Sequence, residues 1–316
     1  MGRRIFDAHC DTVYELQQKN CGLLCNKLHL DLERMESYER YIQVFAAFVD
    51  RTEICCSPMN HCIALLERMH REIEKSGGRV ALIRTAEELE KTEKEGKCGA
   101  ILSLEGGEAL EGNLSALWMY YQLGVRLITL TWNHANEIAD GITESRGGGL
   151  TAFGREAVKA MEEMGILIDV SHLSVRGFWD VAECTRFPFL ASHSCVKALC
   201  GHPRNLDDEQ LRLLIDRKGV MGMNFYPLFL TENSSCDISD VLRHMEYVLE
   251  MGGEKCLALG SDFDGVESLP EGLSGVQDME RLCRAMEERG FTEKQMDAIC
   301  FGNLRRIFHE TLSRSL

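Results

Sequence analysis

The chain has 316 residues, of which 45% are hydrophobic and 27% are charged, a balance that excludes a disordered or collagen-like protein. Asp and Glu number 50 against 35 Lys and Arg, which gives a formal net charge of −15. Because nucleic acid and anionic membranes attract basic surfaces, we expect neither as a partner.

Eight short apolar runs recur along the chain, each about as long as a buried strand. Segments with helical spacing of apolar residues separate them, most clearly at 61–75, 206–218 and 237–251. Strands that alternate with helices predict a parallel sheet, and eight of them close most simply into a (β/α)8 TIM-like barrel, with an open doubly wound sheet as the alternative. In chain order, the predicted strands are Ile5–Asp11, Ile42–Val49, Ala100–Glu105, Leu127–Trp132, Ile166–His172, Phe189–Ser194, Val220–Phe225 and Leu257–Phe263.

No linker or change of composition divides the chain, so we expect one barrel domain over residues 1–316. The 14 cysteines are too few for a disulfide scaffold, and no C-x-x-C motif occurs. Most of them are expected to be reduced core thiols, which indicates a cytoplasmic protein. The sequence shows no apolar leader and no membrane-spanning stretch, in agreement with that expectation.

Polar residues collect where the predicted strands end, and in a parallel barrel these ends carry the catalytic groups. His9 and Asp11 are spaced i and i+2, which on a strand places both side chains on one side and allows them to grip one cation. Nitrogen and oxygen ligands without thiolates suit Zn²⁺, or Mn²⁺ or Fe²⁺ in a similar cage. The residues that converge on this rim are His9, Asp11, Glu105, His172, His193 and Asp262.

Each of these residues also has a structural interpretation. A histidine such as His172 or His193 can be a hydrogen-bonded core residue, Glu105 can bind a helix N-terminus, and Asp262 can belong to a turn. Sequence templates for serine hydrolases, P-loop proteins and H-E-x-x-H metalloproteases are absent. Nucleophilic catalysis by Cys195 beside His193 is the remaining alternative to a metal site.

Seven ordered blocks of the sequence resemble the membrane (renal) dipeptidase family of zinc peptidases, in a soluble, bacterial-type form. The resemblance runs from residue 7 to Gly302-Asn303-Leu304. The blocks are D-A-H-C-D-T at 7–12, S-L-E-G-G at 103–107, I-D-V-S-H at 168–172, S-H-S at 192–194, H-P-R-N at 202–205, N-F-Y at 224–226 and G-S-D-F-D-G at 260–265.

This resemblance implies a site with two zinc ions in a metal-dependent hydrolase barrel. His9 and Asp11 would bind one ion, His172 and His193 the other, and Glu105 would bridge both. A hydroxide shared by the two ions would then be the nucleophile that attacks the peptide bond.

The resemblance also implies roles at the substrate. Asp262 would carry the proton from the nucleophile to the leaving amine, Arg204 would grip the terminal carboxylate of a dipeptide, and Tyr226 would line the same pocket. The family's oxyanion-stabilising histidine follows the fourth strand, and His134 is its natural substitute, displaced by two positions. Relatives of this type often accept a C-terminal D-residue, and a homodimer is compatible with the family.

Two other functions stay open from the sequence. One is a different two-metal barrel hydrolase, acting on a cyclic amide, a lactone or an amino-base, which would have no use for a carboxylate grip by Arg204. The other is a metal-binding homologue without catalysis, which would leave dipeptides intact.

Overall fold

The computed structural model describes residues 2–52 and 54–314. In this part of the chain, nine strands form one sheet, and every strand pair in it is parallel. The strands are β1 (Arg4–Asp7), β2 (Arg40–Phe48), β3 (Val80–Leu82), β4 (Cys98–Glu105), β5 (Val125–Thr129), β6 (Leu167–Asp169), β7 (Leu190–Ser194), β8 (Val220–Met223) and β9 (Leu257–Leu259). The order β2-β1-β9-β8-β7-β6-β5-β4 returns to its start through a β2–β4 pair, which confirms the predicted eight-stranded barrel.

Strand β3 is an addition that the sequence pattern does not predict. It pairs with the first residues of β4, Cys98–Ala100, while β5 pairs with the later residues of the same strand. With three residues, of which Ala81 and Leu82 are only partly buried, β3 is too short for a recognisable apolar period.

Helices follow most of the barrel strands. The predicted helical segments at 61–75, 206–218 and 237–251 correspond to the helices at Pro58–Lys75, Asp208–Asp216 and Ile238–Glu250. The α-helices are α1 (Thr12–Gln18), α2 (Leu32–Met35), α3 (Pro58–Lys75), α4 (Ala86–Glu95), α5 (Leu114–Gln122), α6 (Ala152–Met164), α7 (Val175–Cys184), α8 (Asp208–Asp216), α9 (Pro227–Leu230), α10 (Ile238–Glu250), α11 (Met279–Glu288), α12 (Glu293–Asp297) and α13 (Asn303–Leu312). Gly107–Leu110 and Val276–Asp278 are short 3₁₀ helices, and Ala298–Gly302 is a π-helical turn. No helix within residues 2–52 and 54–314 has the length and apolar composition needed to cross a membrane.

The barrel interior and the C-terminal segment share one apolar cluster. Because alternate residues of a strand point inward, the strands contribute residues such as Phe6 and Val220 to the barrel centre. The ring of Phe6 lies 5.9 Å from that of Phe301 and 5.3 Å from that of Phe308. The segment at 298–312 therefore packs against the apolar interior at the end of the barrel opposite the predicted metal ligands.

Candidate metal centre

Strands β1 and β6 end before the predicted ligands that follow them, so His9, Asp11 and His172 lie in the turns after these strands. Glu105 and His193 instead lie within β4 and β7. Strand β1 ends at Asp7, whose carboxylate oxygen Oδ1 accepts hydrogen bonds from the backbone N–H groups of His9 and Ser261, both at 3.1 Å. Asp169 ends β6 in the same way. At both strand ends, a buried carboxylate thus takes the place of the next backbone hydrogen bonds of the sheet and fixes the backbone that carries the predicted ligands.

Three polar residues of these turns adopt a left-handed backbone. His172, Asp262 and Asp264 have φ angles of 64°, 62° and 67°. Such angles are uncommon outside glycine, and they persist where the surrounding structure holds them. With this backbone, His172 Nε2 lies 3.1 Å from Glu105 Oε1, and Asp262 Oδ1 lies 3.7 Å from His9 Nε2.

Glu105, at the end of β4, lies between the predicted ligands. Its Oε2 atom is 3.2 Å from His9 Nε2, and its Oε1 atom is 3.1 Å from His172 Nε2 and 3.6 Å from His193 Nε2. Asp11 Oδ2 lies 3.2 Å from His9 Nε2 on the side of the first oxygen. Oε2 of this carboxylate therefore faces His9, whereas Oε1 faces His172 and His193.

The orientation of two histidines favours a bound cation. His172 Nδ1 lies 2.8 Å from Asn133 Oδ1, and His193 Nδ1 lies 2.7 Å from Ser192 Oγ. With these nitrogens donating, both Nε2 atoms carry lone pairs, yet they face each other at 2.8 Å. Two lone pairs at that distance repel each other unless a cation shares them. The donor set therefore fits a metal ion.

Burial and charge shape the protonation of the cluster. Burial, reinforced by the Glu105 carboxylate, raises the pKa of Asp11 to about 7. Burial opposes protonation of His9, but the neighbouring carboxylates outweigh it and raise the pKa of His9 well above its usual value. Burial lowers the pKa of His172 and His193 well below the usual value, with Arg204 and His9 adding repulsion. Neutral histidines on one side and crowded carboxylates on the other are the groups that a divalent cation stabilises.

Asp262 adjoins the cluster and lines the cavity above it. Its Oδ2 atom accepts a hydrogen bond from Asn224 Nδ2 at 2.8 Å, and its Oδ1 atom lies 3.7 Å from His9 Nε2. Burial raises the pKa of Asp262 to about 7. A carboxyl group of this kind exchanges protons near neutral pH, as a general acid and base must.

The cavity, of about 830 Å³, is lined by Asp11, Glu105, His172 and Asp262 at its floor. Arg204 also lines it and is 6% exposed; its Nη2 donates to the carbonyl oxygen of His193 at 3.1 Å. Within the described residues, Arg204 Nε has no hydrogen-bond partner, and burial lowers the pKa of this guanidinium. An incompletely paired, buried cation beside a cavity is suited to bind an anion.

Tyr226 lines the cavity on the same side as Arg204. Its backbone N–H donates to Asn224 Oδ1 at 2.6 Å, its ring meets Phe229 edge-on, and its hydroxyl contacts Glu267. The structure thus places Tyr226 near the predicted carboxylate-binding group.

The structure does not bring His134 to this site. Its side chain is 60% exposed, and its Nδ1 atom contacts Thr143 Oγ1 at 3.4 Å. The reason is the turn after β5, in which Asn133 faces inward to His172 and the following residue faces outward. The expected oxyanion role of His134 therefore has no geometric support.

A family model for membrane dipeptidases, peptidase family M19, matches residues 3–315. The chain belongs to the membrane dipeptidase family. Membership confirms the resemblance seen in the sequence, and it makes the chain a metallopeptidase of the dipeptidase class. The buried cluster of His, Glu and Asp is where this dipeptidase can hold its metal.

Individual relatives agree with the family. A dipeptidase of Aspergillus oryzae is 35% identical over 227 residues, which cover 70% of this chain and 54% of that protein. The crystal structure of a metallopeptidase from Rhodobacter sphaeroides, liganded with a phosphinate mimic of the dipeptide L-Ala-D-Ala, matches with a TM-score of 0.90 and 27% identity over 98% of this chain and 100% of the other. Another M19 dipeptidase structure matches with a TM-score of 0.91 and 28% identity over 99% and 100% of the two chains.

Sequence reasoning missed the residues that orient the predicted metal ligands of this dipeptidase. Asn133 and Ser192 each bond the Nδ1 atom of a predicted histidine ligand, and Asp169 bonds Ser192 in turn. The serine directly precedes its histidine in the sequence, so adjacency was an available signal. Asn133 and its partner are 39 residues apart, and their contact appears only in the folded barrel.

Proposed function

We propose that the chain is a dipeptidase with two zinc ions, one held by His9 and Asp11 and the other by His172 and His193, with Glu105 shared between them. The observation that carries this proposal is the position of the Glu105 carboxylate, whose two oxygens face different histidines. A carboxylate offers one oxygen to each of two ions about 3.5–4 Å apart, the usual spacing of two-metal hydrolase sites.

Bound zinc would supply a water of lowered pKa, to serve as the hydroxide nucleophile, and a Lewis acid for the scissile carbonyl. The protein would supply the proton transfer. Asp262 stands at the cavity wall, is held by Asn224 and has a pKa raised by burial, so it can take a proton from the attacking water and give it to the leaving amine.

Arg204 would hold the C-terminal carboxylate of the substrate. Its guanidinium is buried at the cavity wall, and its Nε donor is unused among the described residues. A fixed anion-binding group at one end of the cavity would direct cleavage to the bond one residue from a free C-terminus, which is the single peptide bond of a dipeptide. Tyr226, on the same side, would border this pocket.

We further propose that the chain accepts dipeptides with a C-terminal D-residue. The support is the likeness to the Rhodobacter sphaeroides metallopeptidase, which binds a mimic of L-Ala-D-Ala. We also propose a reducing, cytoplasmic setting, because all fourteen cysteines are free thiols and eight of them are buried.

A dipeptide panel tests the proposal. Purified protein is assayed with L-Ala-L-Ala, L-Ala-D-Ala and the C-terminal amide of the better substrate, before and after chelation and after addition of Zn²⁺. We expect hydrolysis that chelation abolishes and zinc restores, with the amide cleaved at least a hundredfold more slowly. Equal turnover of dipeptide and amide would refute the role of Arg204, and turnover that survives complete metal removal would refute the proposed reaction.

The variants Asp262→Asn and Arg204→Lys separate the two roles. Asp262→Asn should lower kcat by about two orders of magnitude or more, since it removes a proton-transfer group. Arg204→Lys should chiefly raise KM for the dipeptide, because an ammonium does not reproduce the guanidinium fork. A raised KM with normal kcat in Asp262→Asn, together with a large loss of kcat in Arg204→Lys, would contradict the proposal.

A further inference from the structure

A fully buried carboxylate lies behind one of the proposed metal ligands. Asp169, at the end of β6, has no exposed surface. Its Oδ1 atom accepts from the backbone N–H groups of Ser171 and Ser192 at 2.9 and 2.8 Å. Its Oδ2 atom accepts from the hydroxyls of Thr129 and Ser192 at 2.6 and 2.5 Å. Four donors thus fix this carboxylate across three adjacent strands.

The hydrogen bond from Ser192 to Asp169 determines the direction of the hydrogen bond between Ser192 and His193. A serine hydroxyl has one hydrogen, and Ser192 gives it to Asp169. Towards His193 Nδ1, at 2.7 Å, Ser192 Oγ can only accept, so this ring nitrogen must carry the proton. Ser171 Oγ, which accepts from the His193 backbone N–H at 3.1 Å and lies 3.3 Å from Ser192 Oγ, is then the donor in the remaining contact.

We propose that Asp169, acting through Ser192, is a positioning residue that fixes His193 in the tautomer with its proton on Nδ1. That tautomer leaves the Nε2 lone pair directed at Glu105 and at the proposed metal ion, so this inference rests on the proposed function. Partners behind a histidine ligand set its tautomer and its basicity in metal sites generally. The hydrogen bonds from Ser192 to Asp169 and from His193 to Ser192 form a relay. His172 is oriented differently, by the neutral amide of Asn133, so the relay acts on one predicted ligand.

The relay predicts an unusual effect for a nearly isosteric change. In Asp169→Asn, the two backbone N–H groups keep the amide oxygen as acceptor, so the amide NH₂ takes the place of Oδ2. An NH₂ group donates to Ser192 Oγ and accepts nothing. Of the two acceptors left to the Ser192 hydroxyl, His193 Nδ1 at 2.7 Å is closer than Ser171 Oγ at 3.3 Å. Ser192 then donates to His193 Nδ1, which places the imidazole proton on Nε2, where it competes with metal binding.

The test reads the tautomer directly in metal-free protein, by long-range ¹H–¹⁵N correlation spectra of the histidine rings. We expect the Nδ1–H form of His193 in the wild type and the Nε2–H form in Asp169→Asn. Zinc affinity, measured by competition with a chelator, should fall 10- to 100-fold in Asp169→Asn. Ser192→Ala, which removes the relay without inverting it, should lose less affinity than Asp169→Asn.

Asp180→Asn is the matched control. Asp180 is also a buried carboxylate, bonded by Leu150 N–H and by Arg155 and Arg176, but it makes no contact with the histidines. We expect it to lower the melting temperature without changing the tautomer of His193 or the zinc affinity. An Nε2–H ring in the wild type, or an unchanged tautomer in folded Asp169→Asn, would overturn the inference. If His193→Ala kept the full zinc affinity, the proposed function would be wrong, because His193 would not be a metal ligand. The tautomer of His193 in the wild type and in Asp169→Asn would still test the relay independently.

Discussion

Gly265 packs directly against the two carboxylates at the active end of the barrel. A Cβ atom at this position would lie 2.1 Å from Asp11 Oδ2 and 2.4 Å from Asp262 Oδ1. Such contacts do not occur between real atoms, so a side chain here must displace a proposed ligand and the proposed proton carrier together. The glycine therefore allows the backbone to approach the two carboxylates closely, a role that the sequence motif alone does not show.

Gly265→Ala should reduce kcat/KM at least about a hundredfold, since misplacement of reacting groups by about 1 Å has an effect of this size. The measurement is steady-state kinetics at saturating Zn²⁺, with circular dichroism to confirm folding. Gly302→Ala is the control, because its Cβ would meet nothing closer than 3.4 Å. Wild-type activity in Gly265→Ala would show that the carboxylates do not act where the structure places them.

Asn133 and His134 are adjacent, but the structure gives them opposite surroundings. Asn133 contacts His172, while the imidazole of His134 is mostly exposed. We expect Asn133→Ala to weaken zinc binding about 10- to 100-fold and His134→Ala to change dipeptide hydrolysis less than threefold. Kinetics and chelator competition on both variants distinguish this arrangement from the sequence-based oxyanion role, which requires a large loss of kcat in His134→Ala.

Helix α10 is attached to the loops beyond β7 and β8 by His244, a fully buried histidine. Its Nδ1 atom accepts from the Val196 backbone N–H at 3.0 Å, and its Nε2 atom donates to the Leu230 carbonyl at 2.9 Å. This arrangement requires a neutral ring, and burial lowers the pKa of His244 to about 4. Protonation would turn the first bond into a contact between two donors.

The stability of the protein should therefore fall as the pH is lowered from about 6.5 to 4. In that window the unfolded chain binds a proton on His244 that the folded chain does not, so acid favours unfolding by up to about 3 kcal/mol. Urea unfolding of the wild type and of His244→Gln at a series of pH values isolates this contribution. A constant difference in the free energy of unfolding between the two proteins from pH 7 to pH 4 would contradict the assignment.

The strands and helices of the barrel were largely predictable, because buried parallel strands and amphipathic helices have strong apolar patterns. The residues at which the strands end were not predictable. Asp7 and Asp169 end their strands by binding neighbouring backbone N–H groups, and that choice depends on the adjacent strand. The left-handed turns at His172 and Asp262 are also invisible in the pattern, since neither residue is glycine.

The proposed ligands could be found from the sequence because each stands at the C-terminal end of a predicted strand in a parallel barrel. Their supporting residues could not, since a hydrogen bond such as that between Asn133 and His172 joins different loops. The alternation rule also treated His9 and Asp11 as strand residues, although β1 ends at Asp7. Their proximity comes from the first turn after the strand and from Glu105 across the barrel.

The molecule as a whole crowds three buried carboxylates, those of Asp11, Glu105 and Asp262, at one end of its barrel, so metal binding should contribute to its stability. Zinc at a free concentration of 100 times its Kd would add about 2.7 kcal/mol per independent site. Chelation should lower the melting temperature of the wild type by several degrees, and zinc should restore it. Glu105→Gln should show a much smaller response, and an equal response in both proteins would mean that the ion binds elsewhere.

We propose that Glu105 is shared by two metal ions in a dipeptidase site, and anomalous diffraction at the zinc edge, from crystals of the zinc-loaded protein, tests this sharing most directly. We expect two peaks about 3.5–4 Å apart, one beside His9 and Asp11 and one between His172 and His193, with Glu105 reaching both. A single peak, or two peaks that Glu105 does not join, would contradict it.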